Sequence, residues 1–248
     1  MDGEVFTGTV RNLKELAEMP EEYRQVVGKI VVSHAVNEIA GAEVFDEPAI
    51  KLAPTPYDKW LACRIAMEEY GHHVHFSRLA IQIGVSAEAL DHRTKHLNVF
   101  DLPISTWLEF VVLKAIGDLA EVVMVEELLH CSFLPLRDLA VKTMPEEKFH
   151  AGFGRDQMIE LCKTQDGRAR VQRAVEYIFP VMLPFFGGSN SRNNALFRRW
   201  GIKRRTNDEM RADYVERVKK LVEGEFGLRV PPQGEGEKER GRREGGAT

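Results

Sequence analysis

Apolar residues recur along this chain at helical spacing over unusually long stretches. The first run starts at Pro20 and passes through Val26, Val27, Ile30, Val31, Ala35 and Ile39, which predicts a helix reaching toward Phe45 and stopped by Glu47-Pro48. A second is predicted from Pro56 or Tyr57 to Ile83, with Gly84 as its stop. Residues 86–90 read as a short connector helix capped by Ser86, followed by a polar segment over 91–98. The third long helix, over 105–129, carries Phe110, Val111, Leu113, Ile116, Leu119, Val122, Val123 and Val125, and is apolar nearly all round. Such a helix is buried on most sides. A fourth is predicted over 134–163, and Asp166-Gly167 breaks the pattern after it. At ~1.5 Å per residue these helices reach roughly 35 to 45 Å, the dimensions of a substantial bundle.

Beyond residue 167 the pattern predicts a shorter helix to about 186, broken by Pro180 and Pro184. A turn over 187–190, a basic segment and a final amphipathic helix over 208–223 follow. Alternating apolar and polar runs are absent, and β-branched residues fall inside helical periodicity, so no strand is expected. The fold class is therefore all-α: a long four-helix bundle with additional C-terminal helices and a disordered tail. Its organisation reads as an arm over 1–19 with an amphipathic turn near 13–19, one domain over 20–228, and a tail over 229–248. From residue 231 onward the tail has no large apolar residue and cannot offset its ordering entropy.

Composition narrows the class without naming a chemistry. The 248 residues are 44% hydrophobic and 29% charged, ordinary for a globular protein, and the net charge of -4 advertises neither nucleic acid nor an anionic membrane. No stretch matches a membrane span, and Asp2 and Glu4 spoil a signal-peptide pattern, so the expected location is cytoplasmic. Cys63, Cys131 and Cys162 are far apart and form no Cys-x-x-Cys pair; they read as buried small hydrophobes with reduced thiols.

The chemistry lies in a repeated motif. Glu68-Glu69-Tyr70-Gly71-His72 and Glu146-Glu147-Lys148-Phe149-His150 are both Glu-Glu-x-x-His, and each follows a carboxylate set among hydrophobics, Glu38 and Asp118 respectively. Residues three apart share a helix face, so Glu69 with His72 and Glu147 with His150 can each clamp an ion. The spacing from Glu38 to Glu69 is 31 residues and that from Asp118 to Glu147 is 29, as two related helix hairpins require. One Glu-x-x-His occurs by chance on many solvated helices. The doubled, evenly spaced set is the ligand pattern of a carboxylate-bridged di-iron or di-manganese bundle. Four buried carboxylates are costly unless two dications offset them. On the third helix Glu121 lies three residues beyond Asp118 on nearly the same face, and spacing leaves both open.

The neighbours carry weaker signals. Gly71, Gly117, Gly152 and Gly154 imply close packing, ligand room or kinks, and Pro145, two residues before Glu147, predicts a helix irregularity. His34, four residues before Glu38, reads as an outer-shell neighbour, whereas His73, His75 and His130 read as packed or solvated. Glu68, Glu146 and Tyr70 point about 100° off the ligand face, which suits surface or outer-shell roles.

These residues with their neighbours resemble the catalytic (alpha) subunits of the bacterial phenylacetyl-CoA epoxidases, in the phenylacetic acid catabolic family of ferritin-like di-iron proteins. The similarity runs from about Met19 to Pro232. Met19-Pro20, Tyr23-Arg24, Ser33-His34 and Glu38-Ile39 before Gly41 resemble the family's first helix, and Glu69-x-Gly71-His72 its second. Thr106-Trp107 followed by Asp118 is similar to its third, which favours Asp118 over Glu121, and Glu146-Glu147-x-Phe149-His150 resembles its fourth. Arg199-Trp200-Gly201-Ile202-Lys203-Arg204 with Asn207-Asp208-Glu209 is the most specific string. Glu68 and Tyr70 depart from the family's Asp-Glu-Ala-Gly-His while leaving the ligands intact.

The resemblance implies a ferritin-like oxidoreductase with two iron ions (or manganese), ligated by Glu38, Glu69, His72, Asp118, Glu147 and His150. Its implied reaction is insertion of one oxygen atom from O2 into the ring of phenylacetyl-CoA to give the 1,2-epoxide. It further implies a separate reductase with flavin and an iron-sulfur cluster, and a structurally similar, metal-less partner subunit. The chain's lack of a dinucleotide fingerprint and of cluster-forming cysteines agrees with that division of labour. Arg198, Arg199, Lys203, Arg204 and Arg205 surround Trp200; Arg199, Lys203 and Arg204 are candidate contacts for coenzyme A phosphates, with partner docking as the equal alternative. Competing functions are a related oxygenase on another aromatic or acyl-CoA, iron storage by a ferritin-like cage, and a non-catalytic assembly protein.

Overall fold

In the computed structural model, residues 5–93 and 97–232 are described, and they form helices with no β-strand, only an isolated bridge between Val10 and Phe133. The expected disorder over 233–248 and part of the polar segment 91–98 lie outside the described residues.

After a short α1 (Leu13–Glu18), four long helices build the bundle: α2 (Glu21–Gly41), α4 (Pro56–Gln82), α5 (Trp107–Leu128) and α6 (Leu134–Leu161), with α3 (Glu47–Leu52) between the first two. The starts are set by side-chain caps. Thr55 accepts from the Asp58 amide before Pro56, and Thr106 and Glu109 close a capping box ahead of α5. At the end of α4, Gly84 turns the chain at φ +87°, a conformation that favours glycine. The helices pack as two hairpins, α2 with α4 and α5 with α6, and α5 is further covered by α7 (Gln165–Met182) and α9 (Asn207–Lys219). This is the all-α, ferritin-like bundle with additional C-terminal helices.

Hairpin packing is tightest between α5 and α6. A Cβ at Gly154 would stand 2.2 Å from the Ala115 backbone nitrogen, so only glycine permits that approach. Gly71 and Gly152, by contrast, have nothing within 4 Å of the same position. Apolar residues gather in two clusters. One holds the N-terminal half of α5 with Leu61, Ile65, Phe153 and the α7 and α9 faces; the other holds the N-terminal half of α2 with Phe76, Leu79, Val125 and Leu136. The ligand-type residues lie along the helices between these two clusters.

Several boundaries depart from the pattern. Glu47-Pro48 does not stop the first helix, because residues Ala42–Asp46 form a π-turn and Pro48 falls in the first turn of α3, where a missing N–H costs little. Pro145 brings no break in α6, and Pro180 none in α7. In both, the residue four back, Val141 or Glu176, is exposed, so the carbonyl left without its helical partner lies on the solvent side. Asp166-Gly167 is not a break but the first turn of α7, capped by Thr164; the interruption falls just before, at Cys162–Thr164. The basic segment holds an unforeseen helix, α8 (Arg192–Arg199). The connector over residues 86–90 is a 3₁₀ turn, Ala87–Leu90, with no side-chain cap bond from Ser86, and of the three cysteines expected to be buried only Cys131 is, Cys63 lying exposed on the outer side of α4.

Candidate metal centre

The bundle brings all six expected ligand residues together, in two overlapping groups. Glu38, Glu69, His72 and Glu147 form one, Glu69, Asp118, Glu147 and His150 the other, and within each the contributed atoms lie within 4.8 Å of one another. Glu69 and Glu147 belong to both. None of the six is more than 8% exposed. Asp118 joins the second group; Glu121 joins neither.

The donor atoms stand as ligands of shared cations would. Two ligands ~2.1 Å from one octahedral ion, at right angles, are about 3 Å apart. His72 Nδ1 is 3.2 Å from Glu147 and 3.5 Å from both Glu38 and Glu69, and His150 Nδ1 is 3.1 Å from Glu69 and 3.9 Å from Asp118 and Glu147. Even so, both Nδ1 atoms, Asp118 Oδ2 and both Glu147 oxygens make no hydrogen bond. A buried polar atom without a hydrogen bond costs on the order of 1–3 kcal/mol, and five of them converging on one spot, of which only Asp118 Oδ2 has a lysine ammonium nearby, at 3.3 Å, fit divalent cations better than a hydrogen-bonded network.

The local field says the same. Burial pushes the Glu38 carboxyl up to about 8 against the pull of His72, and raises Asp118 well above the carboxylate range. Burial also acts to raise Glu69, but Lys114 and His150 outweigh it and hold that carboxyl well below the usual range. Both imidazoles go the opposite way from what burial alone would do: the carboxylates around them raise His72 strongly and His150 to about 10. Positive charge is favoured between these side chains.

Each imidazole is oriented by the other motif. His72 Nε2 donates to Glu146 at 2.7 Å and His150 Nε2 to Glu68 at 2.8 Å, which turns both Nδ1 atoms inward. The first glutamate of each Glu-Glu-x-x-His thus serves the histidine of its counterpart, the outer-shell role the helix geometry suggested. Tyr70 donates to Glu47 at 2.9 Å, off the ligand face. His34 stacks on Phe76 at 5.1 Å outside both groups, and burial, with Lys203 and His72 nearby, pushes it down to about 3. His73 donates to the Ala35 carbonyl at 2.7 Å.

Two residues of the site escaped the pattern. Lys114, 3% exposed, places its ammonium 2.8 Å from Asp46, 2.9 Å from Glu69 and 3.3 Å from Asp118. A lone lysine four residues before Asp118, with apolar residues on both sides, was a readable signal of the same kind as Asp118 itself. Asp46 had no such signal, since the π-turn is what turns it inward.

The basic string divides. Arg205 pairs with Glu127 and Asp213, both at 2.6 Å, and Arg199 with Glu22 at 3.1 Å, while Trp200 donates to Glu22 at 2.7 Å and packs on Phe6 and Tyr23. Lys203 is buried, 3.5 Å from Met124 Sδ, with no carboxylate in ion-pair range among the described residues, and burial pushes its ammonium down to about 8. It lines two cavities. A basic one of about 790 Å³ includes Arg198, Arg199 and Arg204 and borders none of the six ligand residues; the other, about 430 Å³, runs past Ser33, Asn37, Phe185 and Asn194. Asn37 and Phe185 also wall a third, of about 50 Å³, lined by Glu38, Glu69, Lys114, Asp118 and Glu121 together with Phe45, Phe100 and Met182. No described helix is long and apolar enough to cross a membrane.

The signature of the phenylacetic acid catabolic proteins matches residues 10–245. The chain is also 30% identical over 221 residues to a 1,2-phenylacetyl-CoA epoxidase subunit of Escherichia coli (strain K12), an alignment covering 86% of this chain and 71% of that one.

Proposed function

The chain belongs to the phenylacetic acid catabolic protein family, and from that premise we propose that it is the di-iron, oxygen-inserting subunit of a multicomponent monooxygenase that converts phenylacetyl-CoA to its ring 1,2-epoxide. The observation that carries this reading is the pair of four-residue groups sharing Glu69 and Glu147. In this reading Glu38 and His72 would hold one iron and Asp118 and His150 the other, with Glu69 and Glu147 belonging to both groups. Two irons bound there would supply the redox chemistry: with O2, two electrons and two protons, one oxygen atom would enter the substrate and the other leave as water.

The chain's own residues do the rest. Glu146 and Glu68 fix the imidazoles, and Lys114 ties Asp46 to Glu69, opposing the burial that pushes the Asp46 carboxyl up to about 6. The small cavity next to Glu38, Glu69 and Asp118 is walled by Phe45, Phe100, Leu113 and Phe185, an apolar seat for an aromatic ring that also keeps water away. The cavity that continues past Asn37 suits an extended acyl-CoA arm, with the buried Lys203 and, beside it in the lining, Lys29 as its cations. Of the three candidate phosphate contacts, Lys203 has this role in the proposal; Arg199 and Arg204 face the separate basic cavity. Electrons come from a reductase, and a metal-less partner subunit completes the assembly.

The test is anaerobic loading with ferrous iron, then reductant, oxygen and a panel of acyl-CoAs in the presence of the partner subunits, with product mass recorded. A gain of one oxygen on phenylacetyl-CoA, with about two irons per chain, is the expected result. Oxygen gain on another acyl-CoA alone would reassign the substrate, and uptake of many irons per chain into a mineral would replace the enzyme reading with storage.

A further inference from the structure

Trp60, Met67, Val74 and Ile81 follow one another at seven-residue intervals along α4, and each is left at least 40% exposed. Seven residues are two helical turns, so the four side chains form one stripe about 30 Å long. The stripe is not the core face: Leu61, Ile65, Phe76 and Leu79 point the other way and are buried. Alongside, α6 exposes Val141 and Ile159 on its outer side. Between them sits Gly152, and on α4 Gly71, both with open space where a Cβ would be, which leaves room for another backbone to approach. The other two ligand-bearing helices are covered by later elements, α5 by α7 and α9, α2 by α8 and the 3₁₀ turn Ala87–Leu90.

We propose that this outer face of α4 and α6 seats a helix of a different subunit, one bearing a matching apolar stripe with acidic flanks. The proposal rests on the function above, because an oxygenase divided into components works as an assembly. Charge selects the occupant. Lys59 and Arg78 on α4 and Lys142 and Lys148 on α6 are exposed and carry no ion pair among the described residues, against the unpaired anion Asp138 and the half-exposed Glu146 that His72 engages. Two copies of this chain meeting here would set cations against cations, whereas an acidic helix is attracted. A stripe of this length and apolar character fits a lasting subunit contact, not a brief electron-transfer encounter, which buries less and stays more polar. The seated helix also covers Glu146, whose side chain is 41% exposed while it holds His72.

Cys63 supplies a reporter, being exposed on this face three residues after Trp60, while Cys131 is buried. In a Cys162→Ser background, a nitroxide on Cys63 is followed by electron paramagnetic resonance as the metal-less partner subunit is added. The expected result is immobilisation of the label together with a stable hetero-complex in sedimentation. Met67→Glu with Val74→Glu then weakens the partner's Kd at least 100-fold, and Arg78→Glu with Lys148→Glu weakens it with reduced salt sensitivity, while metal content and melting temperature of the chain stay put. A label that remains mobile when the complex forms, an unchanged Kd in these variants, self-pairing of the chain through Cys63, or no complex at all overturns the proposal. Acyl-CoA turnover is scored separately. Immobilisation without product counts against the oxygenase reading alone, and product with a mobile label against the interface alone.

Discussion

His72 and Glu146 come from different Glu-Glu-x-x-His motifs, and the imidazole Nε2 of the first donates to the carboxylate of the second across 2.7 Å. The reciprocal bond, His150 to Glu68 at 2.8 Å, makes the two motifs each other's support. Glu146→Ala and Glu68→Ala are therefore expected to keep the fold but weaken metal binding by about 10- to 100-fold, read by competition with a chromogenic chelator. Glu69→Ala and His150→Ala should lose the metal outright. Full occupancy in either of the latter would contradict the ligand assignment.

Lys114 is held by three carboxylates in a dry interior, and removing one side of such an arrangement strands the other. Lys114→Met should cost the metal-free protein about 3–5 kcal/mol in urea unfolding, and Lys114→Met with Asp46→Asn should recover part of that loss. Equal destabilisation in the single and double variants would mean that the ammonium acts only through packing.

Lys203 offers a trade between stability and binding. Its folded-state pKa of about 8 lies below the ordinary lysine value, so the fold disfavours the ammonium. The penalty is present in full below pH 8 and fades as pH rises toward the pKa of the unfolded chain. Lys203→Met should accordingly stabilise the protein near pH 7, by up to about 3 kcal/mol, and give little gain above pH ~10. The same change should raise KM for the acyl-CoA at least tenfold, and wild-type binding should weaken as pH rises through about 8. A variant with unchanged KM would remove Lys203 from the substrate path.

The glycines of α6 separate packing from propensity. Gly154→Ala drives a methyl into the Ala115 backbone and should cost about 3 kcal/mol or more. Gly152→Ala meets nothing within 4 Å and should stabilise α6 by about 1 kcal/mol. Thermal melts of the two variants, moving in opposite directions, are the check.

The candidate ligand set was legible because it obeys two rules that a sequence displays directly: a three-residue offset on a helix, and a lone carboxylate inside an apolar run. Glu38, Glu69, His72, Asp118, Glu147 and His150 follow them, and the bundle gathers all six. The long helices were legible for the same reason, through periodicity and caps such as Thr55 and Thr106. What escaped was whatever depends on helix register or on solvent. Asp46 faces inward only because Ala42–Asp46 winds as a π-turn, and no local residue choice announces such a winding. Pro145 and Pro180 predict interruptions, but a proline four residues after an exposed position gives up a bond at little cost. The string around Trp200 was legible as specific and not as to purpose. Much of it locks the N-terminal segment and α2 in place, through Trp200 to Glu22 and Arg199 to Glu22, and a close approach of Gly201 to Phe6.

Each ion group takes three residues from one hairpin and its fourth from the other: Glu147 completes the set of Glu38, Glu69 and His72, and Glu69 completes that of Asp118, Glu147 and His150. A folding intermediate with just one hairpin formed therefore owns no finished cage. With the metals of the proposed function, loading would be the final act of maturation, and a chain whose halves had docked out of register would emerge empty, unable to trap a redox-active ion where oxygen could reach it unguarded.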